Sequence, residues 1–503
     1  MKTRFLLAAI LSLFGLSVVQ AQNDRQKNVL MIIVDDLTTQ PGVQPAVMTP
    51  QMDRLKQKGV HFTQAHAAVP LCNPSRTAFL TGLAPWQTQI FGNGQEFRKT
   101  KGYQNAITLP QFFKNQGYIS MATGKIFHHS LGERSDPLSW TQNATQVDVL
   151  FGSEENEAIP VAGTGGALSA YEEQVPLAWG QLDKKTEEMD DWKNVMQAVQ
   201  FLEKQTPGDS AFFLACGIVR PHLPHFYPSD FGGAYQDLQL PAYLTAGSNI
   251  PDILDCPHPG NSVLDSMLAL PDGQLQWKQA VQSYLRCMAF ADHCVGAVID
   301  AFEGLPESVR QNTLVVLIGD HGYHLGQKSA WAKVSESKAP MVWDQTTHTQ
   351  MVIYDPKYPD AGGKAVIAPV SLMDLYPTVL ELCGTPTSSY PDNDPFSPKK
   401  IWGESLAKAV ASGTAETVPG YALSVMAGNV VSLRSPEWRY IYYPFLKKGE
   451  LYYHGPAREE RTPDPEEFHN LLHPDQATPF YLKIARKMKG IANQLKKGKR
   501  PVF

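Results

Sequence analysis

Three uninterrupted apolar runs punctuate an otherwise mixed chain: Asn28 to Val34, Ala211 to Gly217 and Thr313 to Ile318. None alternates polar with apolar, the pattern of strands buried on both faces of a parallel sheet. A shorter strand is expected over Tyr118 to Ala122. Elsewhere the period becomes helical. Thr108 to Lys114 opens a helix that stops near Gly117, and Thr49-Pro50 offers an N-cap and a first-turn proline for another running through Leu55. Trp277 to Phe302 carries Tyr284, Met288, Ala291, Val295 and Val298 at helical spacing. It predicts a core-packing helix with Asp292 and His293 as face residues. Leu131 to Lys185 reads as loops over a site, where selectivity resides. The Pro-, Ser- and Asp-rich stretch Thr385 to Lys400 marks a domain boundary. Beyond it Val430 to Arg434 and Tyr440 to Tyr443 are strand-like, and Tyr481 to Lys497 is a Lys-rich helix with a solvated face.

Each run ends in residues that carry chemistry, and ligands of open α/β sheets gather at the carboxyl ends of strands. The first run ends in Asp35-Asp36. Two adjacent carboxylates suit a hard divalent cation, and a turn with a helix cap is the plainer reading. The Thr313 run ends in Gly319-Asp320-His321-Gly322, which would complete the set. Oxygen donors with one imidazole favour Ca²⁺, then Mg²⁺. The Ala211 run delivers Arg220-Pro221-His222-Leu223-Pro224-His225, where prolines keep His222 in extended backbone. After Tyr118 to Ala122 comes Gly124-Lys125-Ile126-Phe127-His128-His129; in a helical turn Lys125 and His128 share a face, and His128 is a base near neutral pH. Cys72-Asn73-Pro74-Ser75-Arg76 gathers a thiol, a proline, a hydroxyl and a guanidinium. A helix beginning near Ser75 would set Cys72 at its N-terminus, where free N–H groups favour anions, and Arg76 adds a planar cationic fork. A lone Cys is more often buried filler.

Composition narrows the class. With 503 residues, 43% hydrophobic and 18% charged, the chain is long enough for one large domain and a smaller one. A net charge of −5 gives no basic field for nucleic acid. Met1 to Ala21 has a Lys2/Arg4 start, an apolar run and a small-residue end, the pattern of a signal peptide and of a secreted or periplasmic protein. No later segment is apolar enough to span a membrane. The six cysteines (Cys72, Cys216, Cys256, Cys287, Cys294, Cys383) form no disulfide framework and read as buried thiols with room for one bridge.

Cys72-Asn73-Pro74-Ser75-Arg76 followed by Leu80-Thr81-Gly82 resembles the C-x-P-S-R…L-T-G signature of the type I sulfatases. Gly124 to His128 resembles the G-K-V-F-H of the iduronate-2-sulfatase branch, and Arg220-Pro221-His222 its K-P-H-x-P, with Arg220 for Lys. Asp320-His321 and the W-A-K ending at Lys333, thirteen residues after Asp320, match that branch too. Tyr323 replaces its Trp, and Gln327-Lys328 its Glu-His. Thr49 to Leu55, Val370 to Val379, Glu450-Leu451-Tyr452 and Pro465 to Leu471 resemble further sulfatase segments.

The resemblance implies an alkaline-phosphatase-like α/β sandwich with a central, mostly parallel sheet. It places a sulfatase domain at 22–385 and a small C-terminal α/β subdomain at 386–503. Cys72 would be converted to formylglycine by a sulfatase-maturing enzyme. Asp35, Asp36, Asp320 and His321, with the group at Cys72, would hold the metal, and Ser75 and Arg76 the formylglycine hydrate. Lys125 and Lys333 would bind the sulfate. By the same resemblance His222, rather than His225, protonates the leaving oxygen, with Lys333 as a second candidate donor, His128 removes the last hydroxyl proton, and Tyr323 lies near the sugar. The implied substrate is a sulfated carbohydrate, for instance a 2-O-sulfated uronic acid. Phosphodiesterases and phosphonate monoester hydrolases of the same superfamily are the alternative enzymes, and a non-enzymatic glycan-binding protein would not need this ligand set.

Overall fold

The computed structural model describes residues 26–39, 48–128, 135–143, 155–167, 177–240, 267–327, 331, 333, 341–396 and 401–499. The expected leader, Cys256, Lys328 and much of the expected covering loops lie outside them. The scaffold is an eight-stranded sheet of β1 (Asn28–Val34), β2 (Val60–Phe62), β3 (Ile119–Thr123), β4 (Gln142–Asn143), β5 (Phe212–Ile218), β6 (Thr313–Gly319), β7 (Met351–Tyr354) and β8 (Ala365–Val366), in the order β8-β2-β7-β6-β1-β5-β3-β4. β1 lies parallel between β6 and β5, and β3 lies parallel beyond β5. β7 runs antiparallel to both its neighbours.

The unbroken apolar runs follow from layers on both faces. Leu30, Ile32 and Val34 pack towards α4 (Asp190–Glu203) and α5 (Gly273–Glu303), against Val195, Leu202 and Val295. Val29, Met31 and Ile33 point the other way, towards α2 (Cys72–Thr81), α3 (Leu109–Asn115) and α6 (Leu375–Leu382), against Phe79, Phe113 and Val379. With successive side chains on opposite faces and both faces covered, every position of β1 after Asn28 is apolar.

Some local expectations shift. α1 (Pro50–Lys58) has Thr49 at its N-cap position, yet that side chain makes no capping bond. The Asp292 carboxylate of α5 caps it instead, accepting from Gln51 N at 3.0 Å and Met52 N at 2.8 Å. α3 is capped within its own first turn, by a reciprocal Thr108–Gln111 box. α2 begins at Cys72 itself, three residues before Ser75. Residues 126–128 form bends, not a helical turn. Cys72, Cys216, Cys287, Cys294 and Cys383 are all free thiols.

The C-terminal part holds a four-stranded antiparallel sheet, β9 (Ala422–Met426), β10 (Val430–Arg434), β11 (Trp438–Tyr443) and β12 (Lys448–Tyr453), paired in chain order. The helix α7 (Pro479–Leu495) packs Ala485, Met488, Ile491 and Ala492 on one face of this sheet and leaves Lys483, Arg486 and Lys487 exposed. Through Ile441, Tyr443 and Tyr452, the other face meets Val69, Val342 and Trp343. Ile401, Leu406 and Val410 pack into the core of the large sheet.

Candidate active site

The site forms where four parallel strands end side by side. Val34 of β1 pairs with Gly319 of β6 and Ile218 of β5, so Asp35-Asp36, Asp320-His321 and the 219–222 loop emerge together. β3 adds Gly124-Lys125 from beyond β5. That crossing needs two glycines. A Cβ on Gly124 would lie 1.9 Å from the Gly217 carbonyl oxygen, and one on Gly217 would lie 2.0 Å from that of Lys125. Gly124 also sits at φ 62°, where a side chain is strained.

Arg76, one turn into α2, ties the strand ends together. Its Nη2 donates to Asp35 Oδ1 at 3.0 Å and its Nε to Asp320 Oδ2 at 2.9 Å. Its Nη1 donates to the carbonyls of Lys125 at 2.6 Å and Ile126 at 3.0 Å. Ser75 Oγ donates to the Asp320 carbonyl at 2.6 Å. Both residues, expected to hold a hydrate, direct these donors to the protein and thereby fix the carboxylates. Asp320 Oδ1 accepts from the amides of Asp36 at 3.1 Å and His321 at 3.0 Å. Asp36 is left-handed at φ 56° and is pinned from behind. Tyr284 of α5 donates to its carbonyl at 2.5 Å and accepts from Thr38 N at 3.0 Å. Nothing in the sequence sets Tyr284 apart from the other core positions of that helix.

The Cys72 sulfur lies at the focus. His321 Nε2 is 3.4 Å and Lys333 Nζ 3.1 Å from Sγ, and His128 stands beside it. Lys125 Nζ reaches Asp35 Oδ2 at 2.5 Å, and Lys333 Nζ reaches the Asp36 carboxylate at 2.9 and 3.0 Å. His321 Nε2 lies 3.4 Å from Asp36 Oδ1 and 3.6 Å from Asp320 Oδ2. His222 Nε2 stands 4.0 Å from Asp35 Oδ2 and 3.9 Å from Asp36 Oδ2. The sequence-predicted residues Asp35, Asp36, Cys72, Ser75, Arg76, Lys125, His128, His222, Asp320, His321 and Lys333 are thus brought together, all of them buried. Tyr323, expected near the sugar, is fully buried, stacked on Tyr284 at 5.8 Å and edge-on to His225 and Trp331.

The electrostatics follow from this crowding. Burial and the neighbouring Cys72 push the Asp35 carboxyl up, but Lys125 and Arg76 hold it well below the usual range. Burial and the Asp35 charge raise Asp320 to about 7. Burial opposes ionisation of Cys72, yet Lys125, Lys333 and His321 bring the thiol well below its ordinary value. The donor set fits a divalent ion: Asp35, Asp320, His321 and Cys72 each offer an atom within 4.8 Å of the others, and Asp36 lies against His321. Three hard carboxylates converging with one imidazole match Ca²⁺ or Mg²⁺ better than a thiolate-rich zinc site.

This geometry agrees with what the chain is similar to. A family model described as Sulfatase matches residues 27–385. A protein named Sulfatase from Formosa agariphila is 30% identical over 470 residues, covering 88% of this chain and 85% of that one. The Iduronate 2-sulfatase of Homo sapiens is 29% identical over 395 residues, covering 71% of this chain and 69% of its own length. Among solved structures, the phosphonate monoester hydrolase of Agrobacterium radiobacter superposes with TM-score 0.69 at 18% identity, over 94% of this chain and 95% of that one. A structure described as a 2-O GAG sulfatase superposes with TM-score 0.65 at 20% identity, over 94% and 93% of the two chains. These two superpositions show the alkaline-phosphatase-like fold. Family model, relatives and strand-end geometry agree: the chain belongs to the sulfatase family, near iduronate 2-sulfatase, and is a sulfuric ester hydrolase.

Proposed function

We propose that the protein hydrolyses a sulfate ester on a carbohydrate, outside the cytoplasm, through a formylglycine made from Cys72 by a sulfatase-maturing enzyme. The observation that carries this reading is the position of the Cys72 sulfur, buried at the first residue of α2 amid Lys333, His321 and His128. A formylglycine there supplies a hydrated aldehyde as nucleophile. A Ca²⁺ or Mg²⁺ held by Asp35, Asp36, Asp320 and His321 supplies Lewis-acid polarisation of the sulfate. Support for a sulfated-sugar substrate comes from similarity to iduronate 2-sulfatase and to the 2-O GAG sulfatase.

The chain's own residues do the rest. Arg76 and Ser75 hold the carboxylates in register. Lys125 and Lys333 neutralise the sulfate oxygens. His222 gives its Nε2 proton to the departing sugar oxygen, and His128 takes a proton at the position of the Cys72 sulfur, which releases sulfate. Burial of the whole set excludes bulk water. The N-terminal pattern supports secretion, and no helix among the described residues is long and apolar enough to cross a membrane.

Peptide mass spectrometry of protein from its native host tests the reading. Conversion of Cys72 lowers the mass of its peptide by roughly 18 Da, the thiol sulfur being lost on oxidation. Active protein carrying an unmodified Cys72 thiol would refute the formylglycine reading. A higher rate on aryl phosphonate monoesters than on aryl sulfates would refute the choice of sulfate.

A further inference from the structure

The loop that carries His222 is held by charges outside the reacting centre. After β5, Val219 N and Arg220 N donate to the two carboxylate oxygens of Asp191, each at 2.8 Å. Asp191 sits in the first turn of α4. The Arg220 guanidinium folds back beneath the loop. Its Nη2 donates to Glu155 Oε2 at 2.9 Å and its Nη1 to the His222 carbonyl at 3.3 Å. The second Glu155 oxygen accepts from Asp190 N, also in the first turn of α4, at 3.2 Å. Asp191, Arg220 and Glu155 are only 3%, 2% and 3% exposed. Taking three charges out of water is costly, and apolar side chains would fill the same space at lower cost. What the charges achieve instead is direction, because their hydrogen bonds fix the backbone at Val219, Arg220 and His222.

That direction reaches the imidazole. His222 Nδ1 faces the Leu223 carbonyl at 2.7 Å. Opposite an oxygen acceptor, Nδ1 carries the hydrogen, so Nε2 is the nitrogen that addresses the centre. It stands 4.0 and 3.9 Å from the Asp35 and Asp36 carboxylates. The neighbouring His225 is bound to the same loop, Nδ1 to the Pro221 carbonyl at 2.8 Å, and is turned away into the Tyr284–Tyr323–Trp331 cluster. Arg220 stands where the related motif has Lys. A lysine has a single nitrogen, whereas the guanidinium bonds to Glu155 and to the His222 carbonyl through two.

We propose that Asp191, Arg220 and Glu155 are positioning residues that aim His222 Nε2 at the ester oxygen and so set how well the enzyme expels a poor leaving group. This rests on the reading of His222 as the acid of the sulfatase reaction. As the S–O bond breaks, its electron pair stays on the sugar oxygen, which takes the Nε2 proton. The imidazolium becomes neutral imidazole, keeps its Nδ1 hydrogen on Leu223 O, and regains a proton from water.

The test compares kcat/KM of the converted, metal-loaded enzyme on 4-nitrophenyl sulfate, whose leaving group needs little protonation, and on phenyl and alkyl sulfates, which need it most. His222→Ala is expected to lose about 100-fold or more on the poor leaving groups and far less on the nitrophenyl ester, the range of a general acid. Glu155→Gln and Arg220→Lys are expected to show the same selectivity at roughly tenfold, since misaiming a proton donor costs part of its effect. A uniform loss, or none, in both variants while His222→Ala stays selective overturns the positioning role and leaves the sulfatase reading standing. An unselective His222→Ala overturns the acid assignment itself, and this inference with it. Thermal unfolding is read alongside. If Arg220→Lys does not fold, Glu155→Gln and Asp191→Asn give the same comparison.

Discussion

Two buried clusters of carboxylates, cations and imidazoles lie a few residues apart, and they are built on opposite principles. The first is the active site. The second is a seam between the large unit and the C-terminal sheet. There the Arg439 guanidinium bonds to Asp344, to Glu467 Oε1 at 2.5 Å and to Ser432 Oγ at 2.8 Å. His348 Nδ1 meets Asp344 Oδ2 at 3.1 Å, Asp344 N donates to Glu467 Oε2 at 2.9 Å, and His454 Nε2 meets Glu467 Oε1 at 2.8 Å. Each seam carboxylate thus meets donors on both oxygens. Burial pushes Asp344 and Glu467 up, but Arg439 wins and holds both low. In the active site the carboxylates crowd one another instead, and burial with the Asp35 charge raises Asp320. The same residue types therefore do two jobs. Closed pairs hold two units together, and converging like charges make a place for a cation and an anionic ester.

The clusters also touch. Gly322 N, one residue past His321, donates to Thr346 O at 2.9 Å, and Thr349 Oγ1 donates to Leu37 O at 3.3 Å. The segment between Asp344 and Thr349 is thus the floor of one cluster and a wall of the other.

The largest effect expected separates the two by function. Cys72→Ala should abolish turnover, with a loss of about a thousandfold or more expected when a nucleophile is removed, while its urea midpoint stays at the wild-type value. Retained activity would break the comparison from the active-site side. Next comes the seam. Arg439→Ala takes the nearest guanidinium from buried Asp344 and Glu467, leaving Asp344 the Arg434 Nε at 3.6 Å, at a cost of about 3–5 kcal/mol by urea denaturation. Turnover per folded molecule should change much less than in Cys72→Ala, and a seam variant that stays stable yet loses turnover would show that the two clusters are not separable. Tyr284→Phe is subtler. It keeps the ring stacking and removes the hydroxyl that pins left-handed Asp36, so calorimetric titration should read weaker Ca²⁺ binding, with a stability loss of about 1–3 kcal/mol for the unmet carbonyl and amide. Unchanged affinity would mean that Asp36 holds its conformation without Tyr284.

The smallest expected effect is on pH. Burial keeps His61 and His225 neutral in the fold, at about 4 and 3, whereas the unfolded chain protonates them near 6.5. Below that value the unfolded state binds more protons at these two sites, so their contribution to stability should fall from about pH 6.5 towards pH 4, while Asp320, raised to about 7, gives the fold the extra proton and contributes with the opposite sign. Asp344 and Glu467, whose folded values are depressed, contribute only later: their stabilisation is complete above the unfolded carboxylate values and drains away in acid below about pH 4.5. A His61→Gln variant that loses as much melting temperature between pH 7 and 5 as the wild type would contradict this order.

What the sequence discloses is what neighbours in sequence decide. Val34 and Ile318 end apolar runs, and the residues that follow must emerge at the sheet edge, so Asp35, Asp36, Asp320 and His321 are legible from the run that precedes them. Cys72 and Arg76 are legible from the Cys72-Asn73-Pro74-Ser75-Arg76 cluster and its resemblance, although the helix begins at Cys72, three residues before its expected start. What stays hidden depends on partners far along the chain. Asp292 looks like a face residue until α1 arrives from 240 positions away to be capped by it. Tyr284 looks like one more core aromatic until the Asp36 loop settles on its hydroxyl. The bent course of 125–128 is likewise invisible locally, because Arg76 of α2 and Gly217 of β5 impose it from elsewhere in the chain.

The crossing of Gly124 over Gly217 has a mechanical side. Most groups in a protein are set by side chains that can turn to another rotamer when a neighbour changes. Here two bare backbones rest on each other, with no rotamer to absorb an error. Lys125 is therefore mounted on a hard stop, and its ammonium inherits the stiffness of the sheet. Any side chain added at that joint lifts the whole mounting, and the displacement appears at Lys125 Nζ, beside Asp35, instead of being lost in repacking along the way.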